Sequence, residues 1–222
     1  EKRYSGRKSD QVHPIVAGLM IVKVCGMRDA ENIREVEALG VDWMGFVFHR
    51  TSPRFVGELP DYLPQRAKRV GVFVDETEEQ IMETVQLFRL DMVQLHGHET
   101  PDFCNRIRSK GLKVIKAINV QNTFSTEEVS FYERACDYFL FDTKTLLPGG
   151  SGQKFDWSSL SAYRGTTPFL LSGGISPDDA DRVEAFVHER CIGIDLNSRF
   201  ETSPACKDTH LLQSFIDKIK RK

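Results

Sequence analysis

Eight short runs of β-branched and aromatic residues alternate with segments of helical period from Met20 onward, and that alternation leaves few folds open. The strand candidates are Met20–Val24, Trp43–Phe48, Arg69–Val74, Met92–Leu95, Leu112–Ile118, Tyr138–Phe141, Phe169–Leu171 and Ile192–Leu196. Between and after them, Ala30–Leu39, Glu78–Leu87, Pro101–Arg108, Pro177–Val187 and Leu211–Ile219 read as helices. Several carry start signals: Asp29 before Ala30, Thr77 ahead of Glu79 and Gln80, Thr100 before Pro101, Ser176 before Pro177. Strand–helix alternation implies a parallel sheet, because a parallel neighbour needs a crossover connection. An open doubly wound sheet usually has fewer strands. Eight within about 200 residues predict an α/β chain folded as one closed (β/α)8 TIM barrel.

The chain of 222 residues suits a single such barrel, and 40% hydrophobic against 28% charged residues supply its core. Residues 1–19 differ: they are charged, contain Gly6 and Pro14, and show neither periodicity nor the apolar stretch of a signal peptide. They read as a flexible N-terminal extension or a cloning remnant, with the catalytic barrel spanning 20–222. A formal net charge of -2, with no basic stripe among aromatics, gives no reason to expect nucleic acid. No apolar run approaches the roughly 20 residues of a membrane span, so no membrane partner is expected. Five cysteines without a CxxC pair argue against a disulfide framework or zinc ribbon and favour a reducing cytoplasm. His96 and His98 stand without a matching carboxylate cluster, so no metal is expected.

In a barrel of this kind the active site lies at the C-terminal ends of the strands. The residues there include Cys25-Gly26, His49-Arg50, His96-Gly97, Asp142-Thr143, Ser172-Gly173-Gly174 and Asn197-Ser198. Three late loops suit an anion: Gly149-Gly150-Ser151-Gly152, Ser172–Gly174 and Asn197-Ser198. Glycine lets backbone N–H groups converge on an oxyanion, and serine hydroxyls add donors. A thiol and a carboxylate at strand ends, beside such loops, suggest proton transfer on a phosphorylated small molecule. A lone strand cysteine is more often core filler, and Cys104, Cys136, Cys191 and Cys206 keep that reading. Phe46 and Phe48 straddle Val47, and one of the two is expected to line the pocket.

Taken together, Lys23-Val-Cys-Gly-Met-Arg, Gly45-Phe-Val-Phe, Ser52-Pro-Arg-Phe-Val, Gly71-Val-Phe-Val, Val93-Gln-Leu-His-Gly, Phe141-Asp-Thr, Gly149-Gly-Ser-Gly-Gln, Leu171-Ser-Gly-Gly-Ile and Gly193-Ile-Asp-Leu-Asn-Ser resemble the phosphoribosylanthranilate isomerase family. The resemblance implies a (β/α)8 barrel of tryptophan biosynthesis. It would isomerise N-(5-phosphoribosyl)anthranilate to 1-(2-carboxyphenylamino)-1-deoxyribulose 5-phosphate without a cofactor, as a monomer or homodimer. By matching motif, Cys25 would be the general base, Asp142 the general acid, and Arg54 the partner of the anthranilate carboxylate. Gly150, Ser151, Gly152, Ser172, Gly173, Gly174, Asn197 and Ser198 would bind phosphate. After the eighth strand the family commonly reads Asp-Val-Ser-Ser-Gly-Val-Glu, whereas this chain has Asp195-Leu-Asn-Ser-Arg-Phe-Glu201. Arg199 in place of glycine would be strained at positive φ, or its guanidinium would bind or screen the anion.

Such a rearrangement needs an acid to protonate the ring oxygen and a base to remove the C2′ proton, from opposite sides of one sugar. Strands one and six lie across an eight-stranded barrel, which suits Cys25 and Asp142. A free thiol has a pKa near ~8.5, so the base needs help. Lys23 has the parity of Cys25, about 6–7 Å away along the strand, and is expected inside the barrel favouring the thiolate. Asp195 on the neighbouring strand has the parity to pair with it, and Gln94 and His96 are expected in the site wall. Two other readings stay open: a related barrel acting on a histidine-pathway aminoaldose, which would prefer aspartate in place of Cys25, and a silent barrel that senses a phosphorylated metabolite.

Overall fold

The structure, a computed structural model, describes residues 20–120, 125–142 and 157–220. Residues 1–19 and the Gly150-Ser151-Gly152 segment lie outside them. Eight parallel strands close into a barrel in sequence order: β1 (Ile21–Cys25), β2 (Trp43–Val47), β3 (Lys68–Phe73), β4 (Met92–Leu95), β5 (Lys113–Asn119), β6 (Tyr138–Asp142), β7 (Phe169–Leu171) and β8 (Cys191–Leu196). The helices are α1 (Ala30–Ala38), α2 (Glu78–Phe88), α3 (Pro101–Ser109), α4 (Thr126–Tyr132), α5 (Ala180–Ala185) and α6 (Thr209–Ile219). Asp29, Thr77 and Thr100 cap α1, α2 and α3 with their side chains, as the sequence predicts. None of the described helices is long and apolar enough to cross a membrane.

Burial on both faces explains why the strands read as nearly unbroken apolar runs. Trp43, Val70, Met92, Ile115, Leu140 and Leu170 fill the barrel interior. Val22, Val24, Phe46, Phe73, Val93, Phe139 and Phe169 pack outward under the helices. Each fully buried phenylalanine contributes roughly 1.5–3 kcal/mol. The period of two decides the pocket: Val47 faces inward, while Phe46 and Phe48 turn outward onto Phe88. Neither phenylalanine lines the cavity, contrary to the expectation from sequence.

Other departures have local causes. No helix forms among the described residues between β2 and β3, where Pro53, Pro60 and Pro64 interrupt the chain. That segment is tied down by Glu37 of α1, which accepts from Tyr62 Oη at 2.5 Å and from the backbone N–H of Gln65, Arg66 and Ala67 at 2.7, 2.6 and 3.1 Å. The helix expected over Pro177–Val187 splits into a 3-10 turn, Pro177–Asp179, and the short α5. It stops where Phe186 turns extended and sets its ring 6.1 Å from Trp157. Helix α4, a 3-10 helix at Trp157–Ala162, and a hairpin of β9 (Glu201–Ser203) and β10 (Cys206–Lys207) were not legible in the sequence.

Candidate active site

The C-terminal strand ends open into a cavity of about 430 Å3. Cys25, Asp142, Arg54, Gln94, His96 and Asp195 line it, together with Ser172, Gly173, Gly174, Asn197 and Ser198. Val47, Val72, Val74 and Ile175 add an apolar wall, and His49 and Ser52 stand at its rim. Among the site residues expected from sequence, only Lys23 is described yet absent from the lining; Gly150, Ser151 and Gly152 lie outside the described residues.

Cys25 ends β1 with its side chain inward. A Cβ on Gly45 of β2 would lie 2.6 Å from the Cys25 sulfur, so glycine there makes room for the thiol. Lys23 lies one layer deeper, fully buried, with Nζ 2.9 Å from Asp195 Oδ1. The parity argument of the sequence thus describes this pair. Burial works to lower the Lys23 pKa, but the charges of Asp195 and Cys25 overcome it and hold the ammonium above its ordinary value. For Cys25, burial dominates and raises the thiol; Lys23 pulls it down, Asp195 pushes it up, and Lys207 pulls it down again. Lys23 thus opposes the effect of burial on the thiol without overcoming it.

Above Cys25 the chain turns at Gly26, whose φ is +78°, a conformation that favours glycine. Around this turn converge Arg54, Asn197 and Lys207. Arg54 grips Glu201 with two nitrogens, Nε to Oε1 at 2.9 Å and Nη2 to Oε2 at 2.6 Å. Lys207 Nζ donates to Glu201 Oε1 at 2.5 Å and to Asn197 Oδ1 at 2.8 Å. Burial works to raise the Glu201 pKa, yet Arg54 and then Lys207 hold it below the ordinary carboxylate value.

Across the cavity, Gln94, His96 and Asp142 form a chain. Gln94 Nε2 lies 2.9 Å from His96 Nδ1, and His96 Nε2 lies 3.1 Å from Asp142 Oδ2. With the amide as donor, Nδ1 accepts and the ring presents Nε2–H to the carboxylate. A buried thiol on one wall thus stands opposite a histidine-held carboxylate on the other, the two kinds of group that proton transfer to and from one bound molecule requires. No group of three or more His, Cys, Asp or Glu among the described residues is arranged to hold a metal.

The family model described as N-(5'phosphoribosyl)anthranilate (PRA) isomerase matches residues 22–218. The chain belongs to this family. A relative from Phocaeicola vulgatus, named N-(5'-phosphoribosyl)anthranilate isomerase, is 50% identical over 203 residues, 91% of this chain and 99% of the relative. The crystal structure of phosphoribosyl anthranilate isomerase from Thermotoga maritima superposes with a TM-score of 0.78 at 34% identity, covering 91% of this chain and 100% of its own. A further isomerase structure, in complex with reduced 1-(o-carboxyphenylamino)-1-deoxyribulose 5-phosphate, gives a TM-score of 0.74 at 31% identity, with 91% and 100% covered.

The departure from the family pattern after β8 resolves in this structure. Arg199 sits in a 3-10 turn, Ser198–Phe200, and is not among the described non-glycine residues with positive φ. Its side chain is exposed and outside the cavity lining, and the strain expected of a positive φ does not arise. Asn197, by contrast, is engaged by Lys207. Sequence reasoning missed Glu201, Lys207 and Asn32. Glu201 stood at the glutamate of the motif after the eighth strand without being given a role, and Lys207 was marked only by Asp208, the N-cap of α6. The apolar wall of Val72 and Val74 was hidden because each reads as ordinary strand core.

Proposed function

We propose that the chain isomerises N-(5-phosphoribosyl)anthranilate to 1-(2-carboxyphenylamino)-1-deoxyribulose 5-phosphate, in tryptophan biosynthesis, with Asp142 as general acid and Cys25 as general base. Asp142, entering as the carboxylic acid with His96 on its other oxygen, delivers its proton to the furanose ring oxygen as the C1′–O bond breaks, leaving an iminium and the carboxylate. The Cys25 thiolate then removes the C2′ proton, and the electron pair moves to give an enolamine that tautomerises to the ketone. The carrying observation is that Cys25 and Asp142, from β1 and β6, line one cavity. Its remaining walls match the other parts of that substrate. Val47, Val72 and Val74 suit the aromatic ring, and Arg54 suits its carboxylate. Ser172, Gly173, Gly174, Asn197 and Ser198, after β7 and β8, suit the phosphate.

Arg54 meets its ligand with the edge that Glu201 leaves open, since Nε and Nη2 are taken. The cavity is built within one chain, so this reading requires no second subunit for chemistry. The test is fluorescence-detected turnover of freshly generated phosphoribosylanthranilate by wild type, Cys25→Ala and Asp142→Asn. Loss of about 10²–10⁴-fold in kcat in each variant is expected, the usual scale for a general acid or base. Full activity in either variant overturns that residue's role, and an inactive wild type overturns the activity itself.

A further inference from the structure

Lys207 lies far from Cys25 in sequence, and the fold brings its ammonium to the turn at Gly26, the residue after that thiol. Asn32, buried in the helix that follows Cys25, clasps the Lys207 backbone at both polar groups: Lys207 N–H donates to Asn32 Oδ1 at 2.8 Å and Asn32 Nδ2 donates to Lys207 O at 2.9 Å. The side chain is then fully buried, with Nζ on Glu201 and Asn197. A Cβ built on Gly26 would stand 3.4 Å from that Nζ, which puts the ammonium against the residue next to Cys25.

The charges around the thiol do not cancel. Lys23, Lys207 and Arg54 all act on Cys25 as cations, and Asp195 acts as an anion. Lys23 is matched by Asp195, while Arg54 and Lys207 share the single carboxylate of Glu201. The surplus positive charge beside Cys25 therefore sits on the Glu201 side, while His96 and Asp142 stand together on the opposite wall of the cavity. An anion placed there is stabilised, so the surplus charge offsets part of what burial costs the ionised thiol.

We propose that Lys207 is a positioning residue whose ammonium, fixed by Asn32 and Glu201, favours the Cys25 thiolate and so readies the base. This rests on the reading of Cys25 as general base, but its test needs no substrate. The pH dependence of iodoacetamide alkylation is followed on the Cys25 peptide by mass spectrometry, in the folded free protein. Lys207→Met is expected to move the midpoint to higher pH and slow alkylation at neutral pH on the order of tenfold, the loss of one nearby charge in a partly buried site. Lys207→Arg should keep the wild-type profile. Glu201→Gln should move the midpoint the opposite way, to lower pH, because it removes the neutralising anion.

Opposite signs from two replacements in one cluster are not produced by general loosening. An unchanged profile in Lys207→Met, or a shift of the same sign in both variants, overturns the proposal. Should Lys207→Met not fold, the Glu201→Gln profile decides alone: a midpoint unmoved or raised overturns it. Turnover separates the two levels of the argument. Normal kcat in Lys207→Met with an unmoved thiol profile removes only Lys207, whereas activity surviving Cys25→Ala removes the base itself.

Discussion

Two buried ion pairs in this barrel have the same length and opposite characters. Lys23–Asp195 and Lys116–Glu99 both close to 2.9 Å, and all four side chains are almost fully buried. Lys116 lies between the barrel wall and its helices, where it also donates to the carbonyls of Leu95 and Gly97 at 3.3 and 2.7 Å. Glu99 accepts from the N–H groups of Asp75 and Gly97, at 3.0 and 3.1 Å. That pair is woven into backbone from the loops after β3 and β4. Lys23, inside the barrel, has Asp195 and the Cys25 thiol as its partners among the described residues. A buried charge saturated by main chain is a device of the fold; one whose remaining valence points at a thiol and a cavity is free for chemistry.

Replacing each pair by apolar residues gives the largest test of that distinction. Lys116→Met with Glu99→Leu takes a partner from the buried carbonyl of Leu95 and from half-buried backbone at Gly97 and Asp75, and at roughly 1–3 kcal/mol for a buried group left unmet a loss of about 3 kcal/mol is expected. Lys23→Met with Asp195→Val strands few groups and should leave folding stability unchanged or raise it by about 1 kcal/mol, as replaced buried pairs often do. Its turnover should nonetheless collapse, because the thiol loses its nearest cation. Urea unfolding of both double variants ranks them; equal destabilisation would dissolve the contrast.

Glu37 sharpens the comparison, being a buried carboxylate met by neutral donors. Burial alone would raise its pKa, but the Tyr62 hydroxyl and three backbone N–H groups hold it below the ordinary value. A depressed folded-state pKa gives stability that is complete above the unfolded value, about 4.3, and is lost as pH falls through the folded one. Glu37→Gln should therefore cost about 2 kcal/mol at pH 7, the scale of a buried acceptor losing its charge-assisted bonds. The gap should shrink in acid and close once Glu37 is protonated. A gap of constant size in urea titrations at neutral and acid pH would show that the charge is not the stabilising element.

These contrasts also explain what could be read from the chain. The strands were legible because burial on two faces leaves apolar runs; Cys25 stood out by its strand end and motif, and Lys23 and Asp195 were placed by parity with it. Parity says nothing about groups that arrive from loops. Lys207 and Glu201 come from a hairpin after the last barrel strand to the turn that follows Cys25, and Asn32 contributes from a helix face that looks merely polar. Glu99 and Glu37 are equally invisible, since their partners are backbone atoms that carry no sequence signature. The pocket side of β2 was misjudged by ranking side-chain size above period: two large rings flank the smaller valine that faces the cavity.

The smallest expected effect tests the other wall of the site. Gln94 Oε1 is buried without a partner among the described residues, while its Nε2 faces His96. Gln94→Leu removes one orphaned acceptor along with one useful donor, so folding stability should change by less than about 1 kcal/mol. Catalysis should respond more. Without the amide, His96 loses the contact that orients its ring toward Asp142, and kcat should fall about three- to tenfold with KM unchanged, as when a contact specific to the transition state weakens. An unaltered kcat in Gln94→Leu would mean that the carboxylate holds its geometry without the histidine, and the chain of three would then belong, like Lys116–Glu99, to the fold.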